Sequence, residues 1–138
     1  MIQRIQSVWL LLASIFDAVT FRFPFYIGDW KKDNVSELVN LDAERTVPLT
    51  VLSVVIGILA FVTIFLFGNR KLQLRLTYGG ILLSVVLLAL YFLEIGNFYK
   101  GEMALWCLFY FAIFVFYILA ARSISADQKL IKSLDRLR

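Results

Sequence analysis

Uncharged, mostly apolar residues run through three stretches of this chain, Pro48 to Phe67, Leu76 to Leu93 and Met103 to Ala121. Each is about 18–20 residues long, the length at which a helix rising about 1.5 Å per residue crosses a hydrocarbon layer of roughly 30 Å. A fourth stretch, Ile5 to about Tyr26, is equally apolar apart from Asp17 and Arg22. None shows the period-2 alternation of a membrane barrel strand, and only helices or closed barrels satisfy their backbone in lipid. The pattern predicts one all-α domain, an antiparallel bundle of four transmembrane helices over about 5–26, 48–67, 76–95 and 103–121. An outer loop, 27–47, and a cytoplasmic tail, 122–138, complete it. The first stretch reads as a retained helix, because Phe21-Arg22-Phe23-Pro24-Phe25-Tyr26 offers no small-residue cleavage site. Pro24 and its aromatic neighbours mark the interfacial end of that helix.

The segments between these runs carry weaker signals. In the outer loop, Val35, Leu38, Val39 and Leu41 alternate with charges in a way that fits either a short surface helix or a small hairpin. Asn34-Val35-Ser36 matches a glycosylation acceptor, a three-residue pattern that chance supplies often. In the tail, Ser125-Ala126-Asp127-Gln128 has capping-box spacing, with Ser125 as N-cap. Leu130, Ile131, Leu134 and Leu137 then share one helical face, with Lys129, Lys132 and Arg136 elsewhere on the surface. This predicts a separate amphipathic helix, lying on the cytoplasmic headgroups or docking a partner.

Charge orients the whole. Arg4, Arg70, Lys71, Arg75, Arg122, Lys129, Lys132, Arg136 and Arg138 fall on one side, against only Asp127 and Asp135. The other side is close to balanced, so the positive-inside rule places both termini in the cytoplasm. The net charge of +4 is then the mark of membrane insertion and of attraction to anionic lipid headgroups, and nucleic acid is not an expected partner.

Composition narrows the function classes. The hydrophobic fraction of 61% over 138 residues exceeds what a soluble fold of that length could hide, which excludes a water-soluble monomer. With no histidine and one cysteine, Cys107, the chain lacks bis-histidine haem ligation, histidine acid–base catalysis, disulfides and cysteine zinc clusters. There is no Gly-rich phosphate loop and no nucleophile–base arrangement. No catalytic, metal or cofactor-binding residue is expected, and the chain is read as a non-enzyme.

Asp17 is the most informative position. It lies roughly 20 Å along the first helix from Arg4, at about 1.5 Å per residue. A carboxylate there costs on the order of 2.5–3.5 kcal/mol unless paired, hydrated or protonated. Ser7, Leu10, Ser14 and Asp17 share a face by their three- and four-residue spacing, so this polar stripe should turn inward. Asp17, Ser14 and Tyr110 form a candidate intramembrane polar site, either a proton or cation site or a structural carboxyl bonded to Tyr110. Arg22 and Glu94 lie at similar depth near the outer surface and form a candidate ion pair. Small-residue stripes, Thr50-Ser53-Gly57-Ala60 and Thr77-Gly80-Ser84, with an aromatic ridge of Trp106, Tyr110, Phe114 and Tyr117, predict close helix packing.

The opening Met1-Ile2-Gln3-Arg4-Ile5-Gln6-Ser7-Val8-Trp9-Leu10-Leu11-Leu12-Ala13 and the closing Lys132-Ser133-Leu134-Asp135-Arg136-Leu137-Arg138 resemble the two ends of a family of small four-helix inner-membrane proteins of unknown function from Gram-negative bacteria. The resemblance implies an inner-membrane location and the topology above, and it carries no activity, cofactor or catalytic residue. Its distinctive ends make Gln3, Arg4, Gln6, Lys129, Lys132 and Arg136 a candidate cytoplasmic interaction surface. The expected function is an accessory or stabilising subunit of a larger inner-membrane assembly, with a membrane-protein partner or further copies of itself. The alternative is a small oligomeric proton-coupled transporter using Asp17.

Overall fold

The computed structural model describes residues 2–30 and 38–137, with side chains from Ile5 onward. Its elements follow in the order α1 (Ile2–Thr20), β1 (Tyr26–Trp30), β2 (Leu38–Leu41), α2 (Val47–Phe65), α3 (Arg70–Ile95), β3 (Phe98–Met103) and α4 (Cys107–Arg136). Each helix packs on its neighbours in sequence and α1 closes the ring against α4, which leaves α1 diagonal to α3. α2, α3 and α4 are long and apolar enough to cross a membrane, and α1 is a shorter apolar helix over Ile5–Thr20.

The interior follows from helical periodicity. On α3, Gln73, Thr77, Gly80, Ser84, Leu87 and Tyr91 are buried, every third or fourth residue on one face. Tyr110, Ile113, Tyr117, Ala120, Ile124 and Asp127 do the same on α4. Tyr117 crosses the middle of the ring. Its ring lies against Gly80, where any Cβ would collide with it, and its hydroxyl donates to the Ile56 carbonyl on α2 at 2.6 Å. The small residue on one helix thus makes the room that the large one on the next fills.

Three helices, α1, α3 and α4, depart from the sequence expectation at their ends. α1 stops at Thr20 instead of continuing to about residue 26. Pro24 has no N–H to offer the Thr20 carbonyl, and its ring disfavours helical geometry in the residue before it. The freed carbonyl is served from outside the helix: the Tyr110 hydroxyl lies 3.0 Å from Thr20 O and 2.7 Å from Phe23 O. Phe25 then turns fully inward, its ring centroid 5.0 Å from those of both Tyr91 and Tyr110. α3 starts at Arg70, six residues earlier than expected, where Asn69 caps it by accepting from Leu72 N at 3.3 Å. α4 begins at Cys107, after β3, and runs unbroken to Arg136. Ser125 therefore lies inside a continuous helix and caps nothing, and the tail is no separate amphipathic element.

The expectation of an all-α domain misses a three-stranded sheet. β1 pairs antiparallel with β2, Gly28 opposite Val39, and with β3, Gly28 opposite Gly101, in the order β2-β1-β3. Tyr, Ile, Trp and Phe favour these segments as strands, but they are too short for their periodicity to declare itself. The sheet is rooted in the core through Phe25, whose N–H donates to Leu41 O at 2.7 Å and whose carbonyl accepts from Ala104 N at 3.2 Å. Of the two alternatives for the α1–α2 connection, the hairpin is the one formed. Asn34-Val35-Ser36 lies outside the described residues.

Candidate functional site

The site is built at the seam between α1 and α2. Ser14 and Asp17, one turn apart on α1, straddle Gly57 on α2. Ser14 Oγ donates to the Gly57 carbonyl at 3.3 Å, and a Cβ built on Gly57 would come within 2.5 Å of Asp17 Oδ2. Glycine here is what lets the carboxyl sit against the α2 backbone. Asp17 is only 3% exposed. Among the described residues its Oδ1 is buried with no hydrogen-bond partner.

Beside this carboxyl an open groove of about 380 Å³ runs between the two helices. Ser14, Asp17, Ala18 and Gly57 line it together with Val54, Ile58, Phe61 and Phe21. Val54, Ile58 and Phe61 are exposed on the outside of the ring. Gly57 is the eleventh of the nineteen residues of α2, so the carboxyl faces the middle of that helix, away from both ends. An unserved buried carboxyl oxygen ordinarily costs on the order of 1–3 kcal/mol or more. Such a group is an acceptor held ready for a donor.

The other sequence candidates fall in different places. Tyr110 does not serve Asp17; its hydroxyl donates into the turn that ends α1. Arg22 and Glu94 form no ion pair. Arg22 is exposed in the turn after α1, diagonal to α3, and the Glu94 carboxylate accepts from Asn97 Nδ2 at 3.2 Å. Gln6 is buried and donates to the Ser123 carbonyl at 3.3 Å, binding α1 to α4. The side chains of Gln3 and Arg4 lie outside the described set, and Lys129, Lys132 and Arg136 are exposed on the last turns of α4.

One charged contact escaped the sequence reading. Arg70 Nε lies 3.3 Å from Asp127 Oδ2. Asp127 is buried and Arg70 half-buried, where the first turn of α3 meets α4. The signal was present: Asp127 continues the inward face set by Tyr117, Ala120 and Ile124 at three- and four-residue steps. Cys107 is half-buried at the start of α4. Among the described residues no three carboxylate or cysteine side chains gather closely enough to hold a metal ion.

Comparison with known proteins finds one family. A family model described as a domain of unknown function, DUF4293, matches residues 2–137. No curated protein and no solved structure matches the chain.

Proposed function

The chain belongs to the DUF4293 family, and from that premise we propose that it is an integral inner-membrane protein, a four-helix bundle with both termini in the cytoplasm. In it the protein acts without catalysis, as an accessory or stabilising subunit of a larger membrane assembly. The observation that carries this reading is the division between a filled interior and an apolar exterior. Inside, Tyr91, Tyr110, Tyr117 and Phe25 occupy the space between the helices. Outside, Val51, Val54, Val55, Ile58, Phe61 and Val62 on α2 alone stand exposed, as do Leu82, Val85, Val86 and Leu93 on α3. Side chains of that kind suit lipid and neighbouring helices equally well. The filled interior leaves little volume for a substrate path. The basic ends, with Arg70, Lys71, Arg75, Arg122, Lys129 and Lys132, suit a cytoplasmic, anionic leaflet.

The test is purification of the full chain from its native membrane in mild detergent. The expected result is a complex of fixed stoichiometry with a second membrane protein; a particle containing this chain alone overturns the reading. Reporter fusions at both ends should register the cytoplasm.

A second reading, the proton-coupled oligomeric transporter, draws on the unpartnered Asp17 Oδ1. Asp17→Asn should then abolish proton-driven transport while leaving insertion intact. Transport unchanged by that substitution removes it.

A further inference from the structure

The groove between α1 and α2 has a composition that packing alone does not require. Ser14, Ala18 and Gly57 leave a furrow here, and Phe21, Val54, Ile58 and Phe61 border it. At its floor lies Asp17, 97% removed from the surrounding medium, with Oδ1 unserved among the described residues. The Ser14 hydroxyl, in the same groove, is turned to the Gly57 carbonyl at 3.3 Å. Tyr110, the other hydroxyl considered for this role, is occupied at Thr20 and Phe23. Among the described residues the interior therefore leaves Oδ1 of the carboxyl without a donor.

We infer that the α1–α2 groove is the docking seat for a transmembrane helix of a partner protein, and that this helix brings a cationic side chain to Asp17. The inference rests on the accessory-subunit reading and names the surface and chemistry that reading leaves open. Three features select this occupant. The furrow has small residues along its floor, which lets a second backbone come close. Its rim is apolar and exposed, as a helix-facing border in lipid must be. Its one ionisable side chain, Asp17, is an acidic acceptor level with the middle of α2, and a charge at that depth is matched by an opposite charge on a neighbouring helix. A second copy of this chain, docked by the same surface about a twofold axis, would bring Asp17 toward Asp17, a like-charge pairing that disfavours it. A lysine is the simplest occupant, since its flexible stem reaches down into a furrow and carries three donors.

The experiment uses the full chain reconstituted in phosphatidylcholine vesicles with designed polyleucine transmembrane helices, association being read by fluorescence energy transfer. One helix carries a single central lysine, one a central aspartate and one neither. The lysine helix should bind about tenfold more tightly than the plain helix, the scale of one intramembrane polar contact, and the aspartate helix no better than plain. Asp17→Asn keeps the shape of the side chain and should erase most of the lysine preference. Ile58→Trp fills the groove without touching the carboxyl and should weaken binding of the lysine helix to the wild-type Asp17. Equal binding of all three helices, or a lysine preference that survives both substitutions, overturns the inference. So does proton uptake by the vesicles that Asp17→Asn abolishes while no helix binds. Because no native partner enters this measurement, its failure leaves the accessory reading to be judged by the native purification, and the reverse holds equally.

Discussion

α1 makes two seams with its neighbours, and they are built on opposite plans. Against α4 it is closed by rings. Phe16 meets Phe109 and Phe116 edge-on at 5.2 and 5.0 Å between centroids, Trp9 stacks on Phe116 at 5.8 Å, and past the end of the helix Phe23 lies 4.2 Å from Trp106. Against α2, among the described residues, it is closed without ring contacts, around a serine hydroxyl, a glycine and a carboxyl, with a furrow along the outside. Large side chains that interlock define one geometry and leave no vacancy for another molecule. Small ones define a distance of approach and leave a surface. The α1–α4 seam holds the fold, and the α1–α2 seam is the one free to hold something else.

That contrast can be broken from either side. The largest effect is expected on the aromatic seam, where Phe16→Ala should destabilise the protein by about 3 kcal/mol through the cavity it leaves, measured by reversible unfolding in detergent or bicelles. Tyr110→Phe should cost about 1–2 kcal/mol, because the single hydroxyl proton shared between Thr20 O and Phe23 O is lost, and Thr20 O keeps only the longer bond from Ala43 N. It should also raise amide exchange in residues 21–25 before it does so elsewhere. Arg70→Ala, in neither seam, removes an ion pair whose arginine is 25% exposed, and solvent screening holds its contribution to about 1 kcal/mol or less. That loss should shrink further as salt is raised. The smallest change in stability, within about 0.5 kcal/mol, is expected from Ile58→Trp on the rim of the open seam. The same substitution should have the largest effect on association. If Ile58→Trp unfolds the protein as readily as Phe16→Ala, the two seams are not different in kind.

How much of this was legible in the chain depended on length. Apolar runs of about 20 residues announce themselves, and the stripe that put Ser14 and Asp17 on one face needed only the helical repeat. The four to six residues of each strand give too few periods to tell strand from turn, and the pairing of β1 with β3 links partners as far apart in sequence as Tyr26 and Met103, 77 positions. The end of α1 was within reach, since Pro24 forbids the bond to Thr20, but apolar composition beyond it argued for continuing the helix. Arg22 and Glu94 were matched by depth alone. Depth says nothing about which helices are adjacent, and the ring puts α1 and α3 on a diagonal. The tail was misjudged for a related reason: a polar composition reads as an ending, although the buried face of α4 carries on through Ile124 and Asp127.

The sheet joins two connections that leave the ribosome at different times. β1 and β2 belong to the link between α1 and α2, and β3 to the link between α3 and α4. During synthesis one side of β1 stays unmatched until α2 and α3 have been made and β3 follows them. Pairing of that third strand then latches the two connections together before α4 follows, and a chain truncated before residue 98 would be left with its central strand open to whatever else passes by.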